Sequence, residues 1–452
     1  MSEVIAFFCM IRQAGKNVLL LFLLWFSAAS AANVQAQTGS SPVRPLTLSE
    51  AVELALNQAS NFRSAQLNEK IAAEDITQAK AAFLPKVTAQ PNYIYTSPSL
   101  NNSTNPRPPS FLGADAINVY QGLINAAGEL DTSGKLRATL RKDQALLESA
   151  RAGSAVAKRD LIQAVQDAYY NLALATAKRR GAELNLSAAA EFEHNTKLQL
   201  DAGEIAPVDL LRAQLQISNR RDELEQAKTE EAVNAAALRF LIGYDQKLPV
   251  ETEDLFLQVP VDGDIEGYTE TAISTRPEFV QFEADKKAAE EDANIAKAER
   301  RPQFNYSVSG GFISDSLTPV RVKDALGVQV NVGVTIPIFD AGASKSRETQ
   351  AKLKVQQGEN ARRMAERQFV RDFYTARAQA LSARSRIRQL AESITSAEQI
   401  LNASIARYRA GEAPITEVTD AQNALITQRL ALYQALFDYQ TARSRLLRAI
   451  GQ

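Results

Sequence analysis

Cysteine, histidine and tryptophan occur once each in 452 residues, and methionine three times. One cysteine excludes a disulfide framework, and one histidine excludes a Cys/His zinc module or any mechanism that needs two imidazoles. Charge of one sign is not in excess either. Lys plus Arg number 51 against 52 Asp plus Glu, for a net charge of −1. Such a balance offers no basic field for nucleic acid. There is no Walker-type phosphate loop, no Gly-x-Ser-x-Gly elbow and no paired-cysteine site, so an enzyme is poorly supported. Past the N-terminus no segment holds the roughly 20 consecutive apolar residues of a membrane helix. If the mature chain meets a bilayer, it does so with strands.

What is present begins with an address. Arg12 and Lys16 precede the apolar run Val18–Phe26, and small residues follow at Ser27–Ala32. That order is a secretory signal peptide over residues 1–36, with cleavage expected after Ala31 or Ala36 and Met10 as an alternative start. Cys9 lies before the apolar run, so the mature chain is expected to be free of cysteine, which suits an oxidising compartment.

The rest is one unit written twice. Ala79-Lys80-Ala81 ends a polar helix before Pro85, and Ala296-Lys297-Ala298 does the same before Pro302, 217 positions on. Farther along, Gly134, Ala202-Gly203-Glu204, Ala213-Gln214 and Gly243 recur 208 positions later as Gly342, Ala410-Gly411-Glu412, Ala421-Gln422 and Gly451. The offset falls by nine, so the first copy carries nine extra residues in the Pro/Asn/Ser-rich stretch 96–113, a long loop. The repeats are assigned to 37–243 and 266–452, with a linker at 244–265 containing Pro249, Pro260 and Gly263.

Each copy reads helix, strand, loop, strand, very long helix, turn, long helix. Leu326, Val328, Val330, Val332, Val334 and Ile336 alternate with Gly327, Gln329, Asn331, Gly333 and Thr335. This period of two gives one apolar and one polar face. Strands are expected near 86–96, 114–124, 303–313 and 326–336. No proline interrupts 110–206 or 338–413, and helices are expected near 134–201, 206–242, 342–410 and 414–450. At 1.5 Å per residue the longer ones span about 100 Å. Phe373, Ala380, Ile387, Ile394, Leu401 and Tyr408 recur every seven residues, as do Val418, Leu425, Leu432, Tyr439 and Leu446. A small-residue stripe, Ala421, Gln428, Ala435, Ala442 and Ala449, runs beside the latter, a coiled-coil seam.

Strands of about eleven residues with one apolar face suit a bilayer. Four strands cannot close a barrel, and an open sheet edge is not tolerated in lipid. The chain is therefore expected to oligomerise, two copies giving eight strands and three giving twelve. The alternative is a soluble sheet packed on helices, as in a periplasmic coiled-coil scaffold.

Both copies resemble the outer-membrane efflux proteins, the TolC-like channels of Gram-negative bacteria. The resemblance rests on Leu46-Thr-Leu-Ser-Glu-Ala-Val-Glu-Leu-Ala-Leu56, on Pro337-Ile-Phe-Asp-Ala-Gly342, and on the turns Ala202-Gly203-Glu204 and Tyr408-Arg-Ala-Gly-Glu412. In the first copy Gln121–Gly128 stands in place of the Pro-Ile-Phe-Asp motif, with Gly134 later. The resemblance implies a mixed α/β membrane protein, mostly α, with two tandem repeats, each a β-hairpin plus very long coiled-coil helices. It implies a trimeric twelve-stranded β-barrel continued by a periplasmic α-helical barrel. It further implies a passive exit duct for efflux or type I secretion, with no cofactor and no catalysis. The expected partners are a periplasmic adaptor and an inner-membrane pump of the RND, ABC or MFS class. No nucleic acid is expected to bind.

Gly203 and Gly411 join pairs of long helices, and glycine fits the left-handed position at a helix C-terminus. The resemblance implies that these turns, with Glu204 and Glu412, are where an adaptor docks. Glu417 and Asp420 lie three apart on one helical face. Around a threefold axis they would stack as two carboxylate rings, which repel one another and select cations. Taken alone, acids at a helix N-terminus are more simply explained by the helix dipole. The resemblance implies that Glu417 and Asp420 form the constricting acidic ring. It also implies that the matching Asp209 and Arg212 are salt-bridge candidates at the same aperture. Glu191-Phe-Glu-His194 is a single Glu-x-x-His match with no second histidine, and His194 is taken as a helix-surface residue.

Overall fold

The structure, a computed structural model, describes residues 45–58, 60–97, 118–254, 260 and 263–451. The expected signal peptide and most of the long loop after the first strand lie outside the described residues. In the first repeat, α1 (Leu48–Leu56) and α2 (Asn61–Ala81) lead into β1 (Lys86–Tyr95), β2 (Asn118–Leu130), α3 (Lys135–Asp201) and α4 (Pro207–Ile242). In the second, a 3₁₀ turn (Glu270–Thr275) and α5 (Pro277–Ala298) lead into β3 (Gln303–Ser314), the short α6 (Pro319–Asp324) and β4 (Leu326–Thr335). Then come α7 (Ala343–Arg409) and α8 (Ile415–Ala449).

The four strands form one antiparallel sheet in the order β1-β2-β3-β4. The connection between β3 and β4 carries α6, while most of that between β1 and β2 lies outside the described residues. β2 departs from the expected 114–124. It continues to Leu130, pairing with Phe304, while residues 114–117 lie outside the described set. The alternation fades at Asn125-Ala-Ala-Gly128, yet the ladder persists there, with β3 on one side through Gly128 and β1 on the other through Ala127. A Cβ on Gly128 would lie 2.6 Å from the Tyr306 hydroxyl oxygen, so the small residue makes room for the ring.

α3 and α7 each run 67 residues, about 100 Å of helix. Both begin at a glycine with φ +84°. A carboxylate just upstream satisfies free amide groups in each case: Asp131 accepts from Leu136 N at 2.9 Å, and Asp340 from Ser344 N at 2.8 Å. Anionic acceptors at a helix N-terminus are favoured by the dipole as well. Asp131 thus takes the place in the first repeat that Asp340 of the Pro-Ile-Phe-Asp motif takes in the second.

The long helices are flanked by shorter ones. α2, α4, α5 and α8 pack on α3, and α5 and α8 on α7. α8 ends where α5 begins: Arg276, just before α5, donates to the carbonyl of Ala449 at 3.1 Å. Around this level lies the principal core, with Val165, Tyr169, Leu172, Leu238, Ile242, Ile265, Tyr439 and Leu446 fully buried. The Tyr169 hydroxyl donates to the Leu46 carbonyl at 2.9 Å and accepts from Glu253 N at 3.1 Å, tying linker to core. Burial pushes Tyr169 up to about 12, so the phenol stays protonated and keeps donating. Toward the far end the buried positions include Val418, Ala421 and Leu425 of the heptad stripes, with Thr196, Ser404 and Ile415 beside them. Among the described residues no helix is long and apolar enough to cross a membrane.

Candidate functional site

Two regions of the chain are left incomplete by its own fold. The first is the sheet. β1 and β4 each pair on one side only. On β4, Leu326, Val328, Val330, Val332 and Val334 are between 48% and 76% exposed, an apolar face with no cover among the described residues. Unsatisfied edges and an uncovered apolar face together call for lipid and for another strand.

The second is the helical end away from the sheet. The α3–α4 and α7–α8 turns close in the same way. Gly203 (φ +78°) and Gly411 (φ +75°) adopt the left-handed conformation. Glu204 N reaches back to the Gln199 carbonyl and Glu412 N to the Arg407 carbonyl, both at 2.9 Å. This is the six-to-one bond of a Schellman cap. Pro207 opens α4, and Pro414 immediately precedes α8. Nothing lies within 4 Å of a Cβ placed on either glycine, and Glu204 and Glu412 are exposed.

Just past the second turn, Glu417 and Asp420 lie three apart on α8, beside the buried Val418 and Ala421. Their environments differ. Glu417 Oε1 lies 2.6 Å from Arg407 Nη1, and Ser404 Oγ donates to the same oxygen at 3.4 Å. Asp420 is exposed and makes no ion pair with any described residue. In the first repeat, Asp209 and Arg212 face each other at 3.6 Å within α4 and do not bridge to the second repeat. Asp209 nevertheless acts across the repeats. Burial, and after it the Asp209 charge, push the Tyr408 hydroxyl up, and the Tyr408 ring lies 6.0 Å from that of Phe192 on α3.

Three further features were not among the expected site residues. Arg407 reaches Glu417 across the turn. Gln216 of α4 donates to Gln422 of α8 at 2.6 Å, and Arg220 hydrogen-bonds both Glu223 and Asn423. A ten-residue separation between opposite charges astride a Gly turn is the only sequence signal for Arg407. The cross-repeat amides leave none, because their partners lie about 200 positions apart. His194 is exposed on α3. Among the described residues no group of three His, Cys, Asp or Glu is placed to hold a metal.

A doubled helical hairpin on a small sheet with open edges is the architecture of an export channel. The profile of the family described as outer membrane efflux protein matches residues 51–244 and 269–452, one match on each repeat. The chain belongs to that family. It is 25% identical over 415 residues to protein CyaE of Bordetella pertussis, covering 90% of this chain and 84% of that protein. It is 23% identical over 423 residues to outer membrane protein TolC of Vibrio cholerae, covering 92% of each. Among solved structures, the CmeC outer membrane channel of Campylobacter jejuni superposes with a TM-score of 0.80 at 18% identity, covering 89% of this chain and 85% of that one. The chain is an outer-membrane exit duct for efflux or secretion, with its helices in the periplasm, and it is not an enzyme. Family membership sets aside the soluble coiled-coil scaffold.

Proposed function

We propose that three copies close one twelve-stranded barrel, β4 of each pairing with β1 of the next, and that their helices continue it as a duct through the periplasm. The observation that carries this reading is the sheet with both edges open and an uncovered valine face on β4. Six free edges in lipid would each strand a row of backbone polar groups, whereas a closed ring strands none. Residues 1–36 act as the export signal, and 37–243 and 266–452 act as the two repeats of each protomer.

In this assembly the turn ends converge on the axis. Glu417 and Asp420 line the aperture, and the Asp209–Arg212 pair stands beside it. The turns at Gly203-Glu204 and Gly411-Glu412 receive a periplasmic adaptor. An inner-membrane pump of the RND, ABC or MFS class, joined through that adaptor, supplies the energy. The duct itself needs no cofactor: it sorts cargo by width, polar lining and charge. The test is the mass of the mature protein extracted from bacterial outer membranes in mild detergent. Three chains per particle are expected. A monomer or dimer would overturn the twelve-stranded closure.

A further inference from the structure

The Glu417 carboxylate does not stand alone at the helical tip. Arg407 Nη1 is held 2.6 Å from it, at the last turn of α7, and Ser404 Oγ adds a weaker hydrogen bond. Asp420, one turn farther along α8, has no such companion. In the first repeat Asp209 is likewise matched by Arg212, at 3.6 Å. Of these three carboxylates, Asp420 alone is uncompensated. The ion pair is partly exposed, with Arg407 at 51% and Glu417 at 33%. Its contribution to stability is therefore small. Its effect on the field is not small, because a cation fixed beside a carboxylate cancels that charge at a distance whether or not the hydrogen bond is closed at every instant.

We propose that Arg407 is a selectivity-determining residue of the aperture: it subtracts the Glu417 charge, leaving each chain one effective negative charge there, that of Asp420. This deepens the aperture assignment above and rests on it. The charge arithmetic is specific. Arg407→Gln releases the Glu417 carboxylate and doubles the negative charge per chain. Glu417→Gln leaves Arg407 to cancel Asp420. The double variant Arg407→Gln/Glu417→Gln restores the original balance. An aperture built simply of two free acidic rings predicts something else, namely that Arg407→Gln changes nothing and that the double variant behaves like Glu417→Gln.

The experiment uses the full-length assembled channel in planar bilayers. It reads the K⁺/Cl⁻ reversal potential under a salt gradient and the Mg²⁺ concentration that half-blocks current from the helical side. For Arg407→Gln we expect a shift toward cation selectivity and a half-blocking concentration about thirtyfold lower, the scale of one added charge acting on a divalent ion at contact range in water. Glu417→Gln should move both readouts the opposite way, and the double variant should return them to the starting values. The Arg407→Gln difference should shrink between about 0.1 M and 1 M salt, as the screening length falls from about 10 Å to 3 Å. Asp420→Asn separates the two levels of inference. If it relieves block while Arg407→Gln changes nothing, the compensation is wrong and the aperture stands. If Asp420→Asn leaves block and selectivity unchanged, the aperture assignment falls, and the role of Arg407 with it.

Discussion

Gly203 and Gly411 hold the two turns with φ +78° and +75°, and neither has an atom within 4 Å of where a Cβ would lie. A side chain there would meet strain in the backbone and no collision. The left-handed conformation costs an ordinary L-residue about 1–2 kcal/mol, and asparagine less. Gly411→Asn should therefore keep the turn and export, whereas Gly411→Val should impair export in cells while the assembled channel still runs at full mass in a native gel. Normal export by the valine variant would remove this turn from the docking proposal. These glycines were legible because Ala-Gly-Glu recurs 208 positions apart. Arg407 was not. Its meaning depends on a turn folding it back onto Glu417, and charge pairs across a hairpin leave no periodic trace.

Among the elements, the long helices and the strands declared themselves differently. Proline-free stretches marked α3 and α7, and strict alternation marked β4. β2 was half hidden, since Ala126, Ala127 and Gly128 carry no hydrophobic contrast and are fixed as strand by their neighbours, Val87 and Lys86 on β1 and Val308, Ser307 and Tyr306 on β3. The junction of α8 with α5 was invisible altogether. There Arg276 is buried, stacks on Phe369 with its guanidinium carbon 3.7 Å from the ring centroid, and binds Glu278 at 2.6 Å. Glu278 also binds Arg159 of α3 at 2.6 Å. One carboxylate thus serves a buried cation and a half-buried one, from different repeats. Removing the shared partner of such a cluster costs about 3–5 kcal/mol, because the charges left behind stay buried. Glu278→Gln should lower the melting temperature of the detergent-solubilised protein clearly, more than substitution of the exposed Glu223. Burial alone would raise the Glu278 carboxyl, but hydrogen bonds from Arg276 and the nearby guanidinium charges outweigh it and hold the group below its ordinary 4.5. A depressed folded value stabilises the fold above that pH and is lost as the pH falls through the folded value. The melting temperature of the native protein should therefore drop on acidification below about pH 4.5, and the Glu278→Gln variant should lack that part of the drop.

For the whole molecule, the fold of one chain leaves both outer strands of the described sheet paired on one side only, and the proposed barrel is the answer to those open edges. The valines of β4 and the residues between them, Gln329 and Asn331, lie on opposite faces of the same strand, and within the single chain the strand is exposed along its length. In the proposed barrel the valine face meets lipid and the amide face meets the water-filled interior. A charge placed in the apolar band of a transmembrane barrel costs about 2–4 kcal/mol near the bilayer midplane, whereas lumen positions accept polar groups. Three chains multiply the penalty, since the substitution recurs in every protomer. Val330→Arg should thus abolish or sharply reduce the trimer recovered from outer membranes, while Asn331→Arg, one residue away, should assemble and change only the conductance. Equal tolerance of both would mean that this face is covered by protein and not lipid, and the sheet would need a different partner. Equal intolerance would place the damage in the strand itself. Neighbouring residues with opposite outcomes would be the direct signature of a sheet closed into a ring, with its inside wet and its outside in hydrocarbon.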